Sequence, residues 1–419
     1  MRRKVLGNLA WMLMERGLQV AGGIAIVAML ARSLGPEGFA HFQYAQAVVY
    51  IAASIALICG GEVVIPRLVA NPDASAQHRL LAHAFVLRLS AGVLAYLLMC
   101  GFLLATGQEA SIWAVALVLG IAVMLREPFG LSTAWMQART HTRPNAILNV
   151  SSLAVKIAGV ALLFWMGSTN ILAYAALFVL EPIIAAVLLT QYYLSRAPKV
   201  KIALESSLLR DLFASGALFW VSFMLMLASR RIDQILLKPF VNLSEFGAYA
   251  ASMQILDNFT ALATILAAGI APTYVYAQPT LKQARRNIAR IATFMFAIGL
   301  TGGATIAVCA EWIVHLLYGA AYAPAAELLR LAAMASTLLF ADVALTLLPI
   351  LLRRPRIVAM KWAIVFVMTI VIDIIIIPRY GARGAILGYA LANLVAVSFG
   401  AWVLWRHWKT GDTTQGVPA

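Results

Sequence analysis

The sequence predicts an all-α membrane protein with about twelve transmembrane helices in two pseudo-symmetric six-helix bundles. Three observations predict it. Of the 419 residues, 63% are hydrophobic and 12% are charged, about half the charge of a soluble domain. About twelve apolar runs each supply the roughly 20 residues that cross a bilayer as a helix. A polar hairpin between two such runs then recurs: Glu37-Gly38-Phe39-Ala40-His41-Phe42 lines up with Ser244-Glu245-Phe246-Gly247-Ala248-Tyr249. Two copies of one hairpin imply two copies of one bundle, and a duplicated multi-span membrane protein reads as a transporter.

Hydropathy places the spans at residues 8–31, 39–66, 80–105, 111–137, 144–167 and 171–194, then 212–237, 246–276, 288–316, 327–352, 357–377 and 383–405. Between the first two, Gly35-Pro36 stops a helix, because proline lacks a backbone donor and restricts the residue before it. Glu37 then sits near the next helix start, where a carboxylate suits the positive end of the dipole. Met1-Arg2-Arg3-Lys4 before an apolar run imitates a signal peptide. Glu15-Arg16 interrupts that run and no small-residue cleavage site follows, so an uncleaved first span is expected. The longest connection, Ser195 to Asp211, carries Pro198, Lys199, Lys201 and Arg210. It divides the chain into an N-terminal lobe of residues 1–200 and a C-terminal lobe of 201–419. Gly22-Gly23, Gly60-Gly61, Gly269 with Pro272, and Gly302-Gly303 interrupt spans, either for close helix packing or as hinges for alternating access.

The formal net charge is +15. The basic residues sit in short loops rather than on one aromatic-studded face, which argues against nucleic acid. Alternate loops hold 20 Lys and Arg on one side and only Arg32, Lys238, Arg379 and Arg383 on the other. By the positive-inside rule both termini and the mid-chain linker are cytoplasmic. Cys59, Cys100 and Cys309 lie inside apolar runs without CxxC spacing, and the six histidines are scattered. No cofactor or metal-ligand set is therefore expected. No GxxxxGK[ST] appears either, so no ATPase motif is present.

Several motifs together carry a family resemblance. They are Leu34-Gly35-Pro36-Glu37 with Phe39 and Tyr44, and Arg231-Ile232-Asp233-Gln234 followed by Phe246-Gly247 and Tyr249. Pro128-Phe129 with Trp135 and Gln137-Ala138, Tyr318-Gly319 with Tyr322, and Pro378-Arg379-Tyr380-Gly381 with Gly384-Ala385 complete the set. In order and spacing the chain resembles the polysaccharide (O-antigen) flippases of the multidrug/oligosaccharidyl-lipid/polysaccharide exporter superfamily. The resemblance implies two six-helix bundles around a central cavity in a bacterial inner membrane. It also implies, as cargo, a polyprenyl-pyrophosphate-linked oligosaccharide for surface polysaccharide, O-antigen or lipopolysaccharide, with other polysaccharide-assembly proteins as further partners.

Charges inside the spans are the candidate site. Arg16, Arg126 and Lys156 fall near mid-span and Arg88 about a third of the way in. Each such charge costs at least roughly 2.5–3.5 kcal/mol at bilayer depth, and four cost on the order of 10 kcal/mol, so none can face lipid. Internal pairing with Glu15, Glu62, Glu127 or Glu181 is one outcome. The other is that some heads remain free for a ligand, since Glu15 and Glu127 point away from their sequence neighbours Arg16 and Arg126. An arginine fork suits phosphate oxygens, so Arg16, Arg88, Arg126 and Lys156, with Arg230 and Arg231, are the candidate pyrophosphate and sugar contacts. Asp233 lies within a turn of Arg230, where a local pair is the simpler expectation. Asp257 and Asp342 have no basic residue close in sequence and are candidates for ion coupling. Arg330 and Lys361, near helix ends, are expected to snorkel. Trp135, Trp165, Trp220 and Tyr249 could stack on sugar rings, although interface anchoring is their usual role.

Transport of an anionic head out of a negative cytoplasm is downhill by roughly 2.3 kcal/mol per charge per 100 mV. A drug/cation antiporter of the same superfamily is the alternative, and it would favour an acidic cavity over a basic one. A glycan polymerase or ligase would need large outward loops with paired carboxylates or a nucleophile, and the outward loops here are short. An enzyme is not expected, and a scaffolding role would leave the intramembrane charges without a use.

Overall fold

The computed structural model describes residues 2–139, 142–200 and 203–409, so Lys201 of the linker lies outside the described residues. Among them every regular element is helical. The helices run α1 Arg2–Ala53, α2 Gly61–Ala70, α3 Ala74–Ala105, α4 Ala110–Phe129, α5 Leu131–Ala138, α6 Thr142–Trp165, α7 Ile171–Leu194 and α8 Ser206–Ser229. They continue with α9 Ile232–Leu237, α10 Leu243–Ala271, α11 Leu281–Val308, α12 Ala310–Tyr318, α13 Pro324–Ala335, α14 Thr337–Leu345, α15 Leu347–Leu351 and α16 Pro355–Lys409. Ten stretches are long and apolar enough to cross a membrane, and two of them, Met14–Ala70 and Pro355–Trp408, run to 57 and 54 residues. At 1.5 Å per residue each of those is roughly 80 Å long, enough for two crossings. Both are interrupted by a kink at a glycine whose positive φ other residues rarely adopt: Gly35 at φ 65° and Gly381 at φ 55°. Ten stretches with two doubled give twelve crossings.

The chain divides into two compact units, residues 1–227 and 228–419. The division falls after most of α8, whereas the sequence expectation put it in the preceding loop. Contacts hold α8 to the first unit. Arg67 pairs with Asp211 at 2.6 Å, the Cys59 thiol donates to the Leu212 carbonyl at 3.4 Å, and the Trp220 indole donates to the Ile55 carbonyl at 3.0 Å.

Within each unit small residues let helices approach closely. A Cβ on Gly92 of α3 would stand 3.3 Å from the Met124 backbone of α4, and one on Gly303 of α11 only 2.6 Å from the Ala333 carbonyl of α13. Gly22 and Gly302 are likewise packed, against Ile157 and Phe259. These positions are close contacts rather than hinges. Gly60-Gly61 does lie at a break, and Pro272 begins a π-helical turn. Outward faces are apolar, with Leu97, Leu104, Trp165 and Val308 all more than 60% exposed, a surface that suits lipid rather than water.

Side chains close the helix starts. Asp73 accepts from the Ala76 amide at 2.8 Å at the head of α3, Asn170 from Leu172 at 3.0 Å at the head of α7, and Asn242 from Glu245 at 2.8 Å at the head of α10. Spans expected to be continuous are broken. The second breaks at Ser54–Gly60, the fourth at Gly130, the seventh at Arg230-Arg231, the ninth at Cys309 and the tenth at Ser336 and Thr346. Glycine and proline explain the first two. In the tenth, the Ser336 and Thr346 hydroxyls bond back to the carbonyls of Ala333 and Asp342 at 2.6 and 2.8 Å, a local bond that bends helices without Gly or Pro.

Candidate functional site

In the first unit the four sequence-predicted cations meet different fates. Arg88 of α3 is buried. Its guanidinium donates to the carbonyls of Ile58 and Cys59 at 3.0 Å each and to that of Glu127 at 2.8 Å, with the Glu127 carboxylate 3.7 Å away. Those carbonyls belong to two chain breaks, where the backbone loses its helical partners. Arg88 therefore ties the break before α2 to the end of α4, and Cys59 is held there at φ 56°. Lys156 of α6 pairs with Glu181 of α7 and lies 4.7 Å from the Phe178 ring.

Arg16 and Arg126 differ. Both are exposed on the first unit. Arg16 donates to the Gln19 side chain at 3.3 Å, while the neighbouring Glu15 turns to α6 and accepts from Asn149 at 2.9 Å. The Arg126 guanidinium has no hydrogen-bond or ion-pair partner among the described residues, because Glu127 beside it faces Arg88. Glu15 and Lys156 belong to separate clusters. Asn149, which holds Glu15, lies seven residues from Lys156 on α6, roughly 10 Å along the axis. Two of the four cations thus hold helices together, and two have no acidic partner among the described residues.

In the second unit Arg231 pairs with Asp257 at 2.5 Å, and Arg230 lies near Tyr389. Asp233 does not pair with Arg230. Instead it accepts from the Tyr249 hydroxyl and, at 2.8 Å, from the Gln234 amide. Lys361 does not snorkel. Its ammonium is 5% exposed and donates to both Asp342 oxygens, at 2.9 and 2.8 Å, and to Thr346 at 2.8 Å. The fold supplies Asp342 with a lysine nineteen positions away. Both aspartates singled out for ion coupling are therefore held by a cation.

Among the described residues, Asp373 of α16 is a buried carboxylate that stands alone. It is fully buried, and neither oxygen has a hydrogen-bond partner. It lies against Gly388, where an added Cβ would come within 1.9 Å of Asp373 Oδ1. It is close enough to Asp233 and Tyr249 for their charges to interact. Such a group must hold a proton or a cation, since an isolated buried charge is far too costly. Among the described residues no three His, Cys, Asp or Glu side chains are grouped to hold a metal ion. The sequence signal was one aspartate inside Val371-Ile372-Asp373-Ile374-Ile375-Ile376, a run with no polar companion. The aromatic candidates separate as well. Trp135 is buried, Trp165 is 86% exposed, Trp220 bonds to Ile55, and Tyr249 is bonded to Asp233.

The fold is that of membrane transporters. Over 95% of this chain and 96% of the other, it resembles an inward-facing multidrug resistance MATE family transporter of the MOP superfamily, with a TM-score of 0.73 and 14% identity. It is similar to the lipid II flippase MurJ in an inward closed conformation over 98% and 94% of the two chains, with a TM-score of 0.71 and 13% identity. A MOP superfamily transporter from Pyrococcus furiosus, reported to have a binding pocket of reverse polarity, matches over 96% and 95% at a TM-score of 0.66 and 14% identity. These neighbours are transporters and a flippase, not enzymes. No curated protein matches the chain. A family model described as polysaccharide biosynthesis protein matches residues 5–273, and the chain belongs to that family.

Proposed function

We propose that this chain flips a polyprenyl-pyrophosphate-linked oligosaccharide from the cytoplasmic to the outer leaflet of a bacterial inner membrane by alternating access. Both termini are then cytoplasmic, and the product feeds surface polysaccharide such as O-antigen. Arg126 carries the reading. It sits well inside the stretch Ala110–Ala138 that is long enough to cross the bilayer, it is exposed on its unit, and its charge is unpaired. A lipid-facing arginine there costs at least roughly 2.5–3.5 kcal/mol, whereas a pyrophosphate or a wet path removes that cost. Arg16, bonded only to the neutral Gln19 among the described residues, is the second cation, and Lys156 a third that can exchange Glu181 for a phosphate. Membership of a polysaccharide biosynthesis family and the likeness to a lipid II flippase both support a lipid-linked glycan as cargo.

Coupling is assigned to Asp373 with Asp233 and Tyr249, because Asp257 and Asp342 are already neutralised. Protonation of Asp373 removes the buried charge and gives the second unit two states. A drug/cation antiporter fits less well, since the uncompensated charge in the first unit is positive. The test is flipping of a fluorescent polyprenyl-pyrophosphate oligosaccharide in proteoliposomes. The Arg16→Ala, Arg126→Ala double variant is expected to lose at least tenfold in rate at unchanged incorporation. An unchanged rate would remove the reading.

A further inference from the structure

Where α4 ends at Pro128-Phe129-Gly130, the first unit leaves a cavity of about 240 Å³ between α3, the α4–α5 break and α7. Its lower walls are apolar, with Phe85 and Phe129 edge to face at 5.1 Å. At its other end stand two polar side chains bonded to each other. There a His78 ring nitrogen meets the Tyr193 hydroxyl at 2.5 Å, and Tyr193 in turn packs edge-on against Trp135 at 5.2 Å. From His78 to Phe85 is two helical turns, roughly 10 Å of depth. The start of α3 and the ends of α5 and α7 converge at this polar end, and they carry arginines. Arg79 is bonded to Glu205 at 3.2 Å, Arg139 stacks 4.3 Å over Trp135, and Arg196 stacks 3.8 Å over Tyr192.

Arg196 is the informative one. It follows Leu194, which lines the cavity, by two residues. It is exposed, and it bonds only to the Tyr192 carbonyl and the Ser195 hydroxyl, at 3.1 and 2.9 Å, with no acidic partner among the described residues. A narrow apolar slot on a membrane-spanning helix group, with a cation two residues beyond its lining, matches one ligand chemistry: a hydrocarbon chain joined to a phosphate. The slot holds part of one chain and cannot enclose a glycan. The arginine fork binds phosphate oxygens better than a zwitterionic headgroup, whose own cation competes for them.

We infer that this cavity is a binding site for an anionic bilayer phospholipid, one acyl chain lying against Phe85 and Phe129 with its headgroup phosphate on Arg196. The site is separate from the cargo contacts proposed above and does not depend on them. A lipid seated here braces the α4–α5 break beside Arg126, so bilayer composition acts on the helix that carries that charge.

The experiment is native mass spectrometry of the full chain, delipidated and titrated with phosphatidylglycerol or phosphatidylcholine of matched chains. Wild type is expected to bind one phosphatidylglycerol at least fivefold more tightly than phosphatidylcholine. Arg196→Gln is expected to abolish that preference while both lipids still bind. Ala82→Trp, which fills the slot from α3, is expected to lose the saturable site for both. Equal affinities in wild type, or a preference untouched by both variants, would overturn the inference. So would displacement of phosphatidylglycerol by polyprenyl phosphate at equal concentration, which would assign the slot to the cargo's tail. Retained thermal melting of both variants separates site loss from misfolding.

Discussion

At the scale of single residues, the protein spends most of its intramembrane charge on itself. The pair Lys361–Asp342 is nearly sealed, with side chains 5% and 7% exposed. Removing one member leaves the other buried and unpaired, which costs about 3–5 kcal/mol, whereas replacing both by apolar groups of similar size is near neutral. Lys361→Met is therefore expected to lose about that much stability in a denaturant titration in detergent. Adding Asp342→Leu is expected to restore most of it. Sequence reasoning held that the charges of Arg16, Arg88, Arg126 and Lys156 cannot face lipid, and Arg88 and Lys156 do find internal partners, as does Lys361, which was expected to snorkel. It named Glu127 and Glu181 among four candidate partners but could not say which cation each meets, because the partners lie 39, 25 and 19 positions away. Asp257 and Asp342 looked solitary for that reason, and Asp373, which is solitary in space, did not stand out.

At the scale of elements, the aligned hairpins were legible because the same burial recurs. Phe39 and Phe42 in the first copy, and Phe246 and Tyr249 in the second, are all fully buried. The breaks at Gly35-Pro36 and Gly60-Gly61 were legible too, although the one at Gly130 was not. Those made by a serine or threonine bonding back to its own helix were not, because that choice depends on tertiary context. Two kinks allow a matched test. Gly35 adopts φ 65°, ψ 176°, with nothing within 4 Å of an added Cβ, while Gly381 adopts φ 55° and its Cβ would meet Glu245 Oε1 at 2.7 Å. Glu245 there accepts from the Ala382 amide at 3.1 Å. Gly35→Ala adds backbone strain alone, about 1–3 kcal/mol. Gly381→Ala adds that strain and dislodges a cap, so it is expected to be the more destabilised of the two by unfolding in detergent. Equal losses would mean that Glu245 moves aside without consequence.

At the scale of the whole molecule, the proposed export of an anionic lipid head takes its direction from charge. About twelve crossings were expected, and among the described residues ten apolar stretches, two of them of double length, have room for them, with apolar exposed faces that suit lipid. Along that path each net negative charge leaving a negative compartment gains roughly 2.3 kcal/mol per 100 mV, equivalent to roughly fiftyfold in the leaflet ratio at steady state. The proposed proton exchange at Asp373 would add a second, separable drive. Clamping the potential at zero with potassium and valinomycin is expected to reduce cargo asymmetry in wild-type proteoliposomes. Collapsing the pH gradient is expected to reduce it again. Asp373→Asn holds a neutral side chain in the same space, so it is expected to keep the response to potential and lose the response to pH. If the variant lost both responses together, one mechanism would serve both drives and Asp373 would lie on it. If it kept both, the buried carboxylate would belong to packing against Gly388, and the potential acting on the pyrophosphate would be the drive that remains.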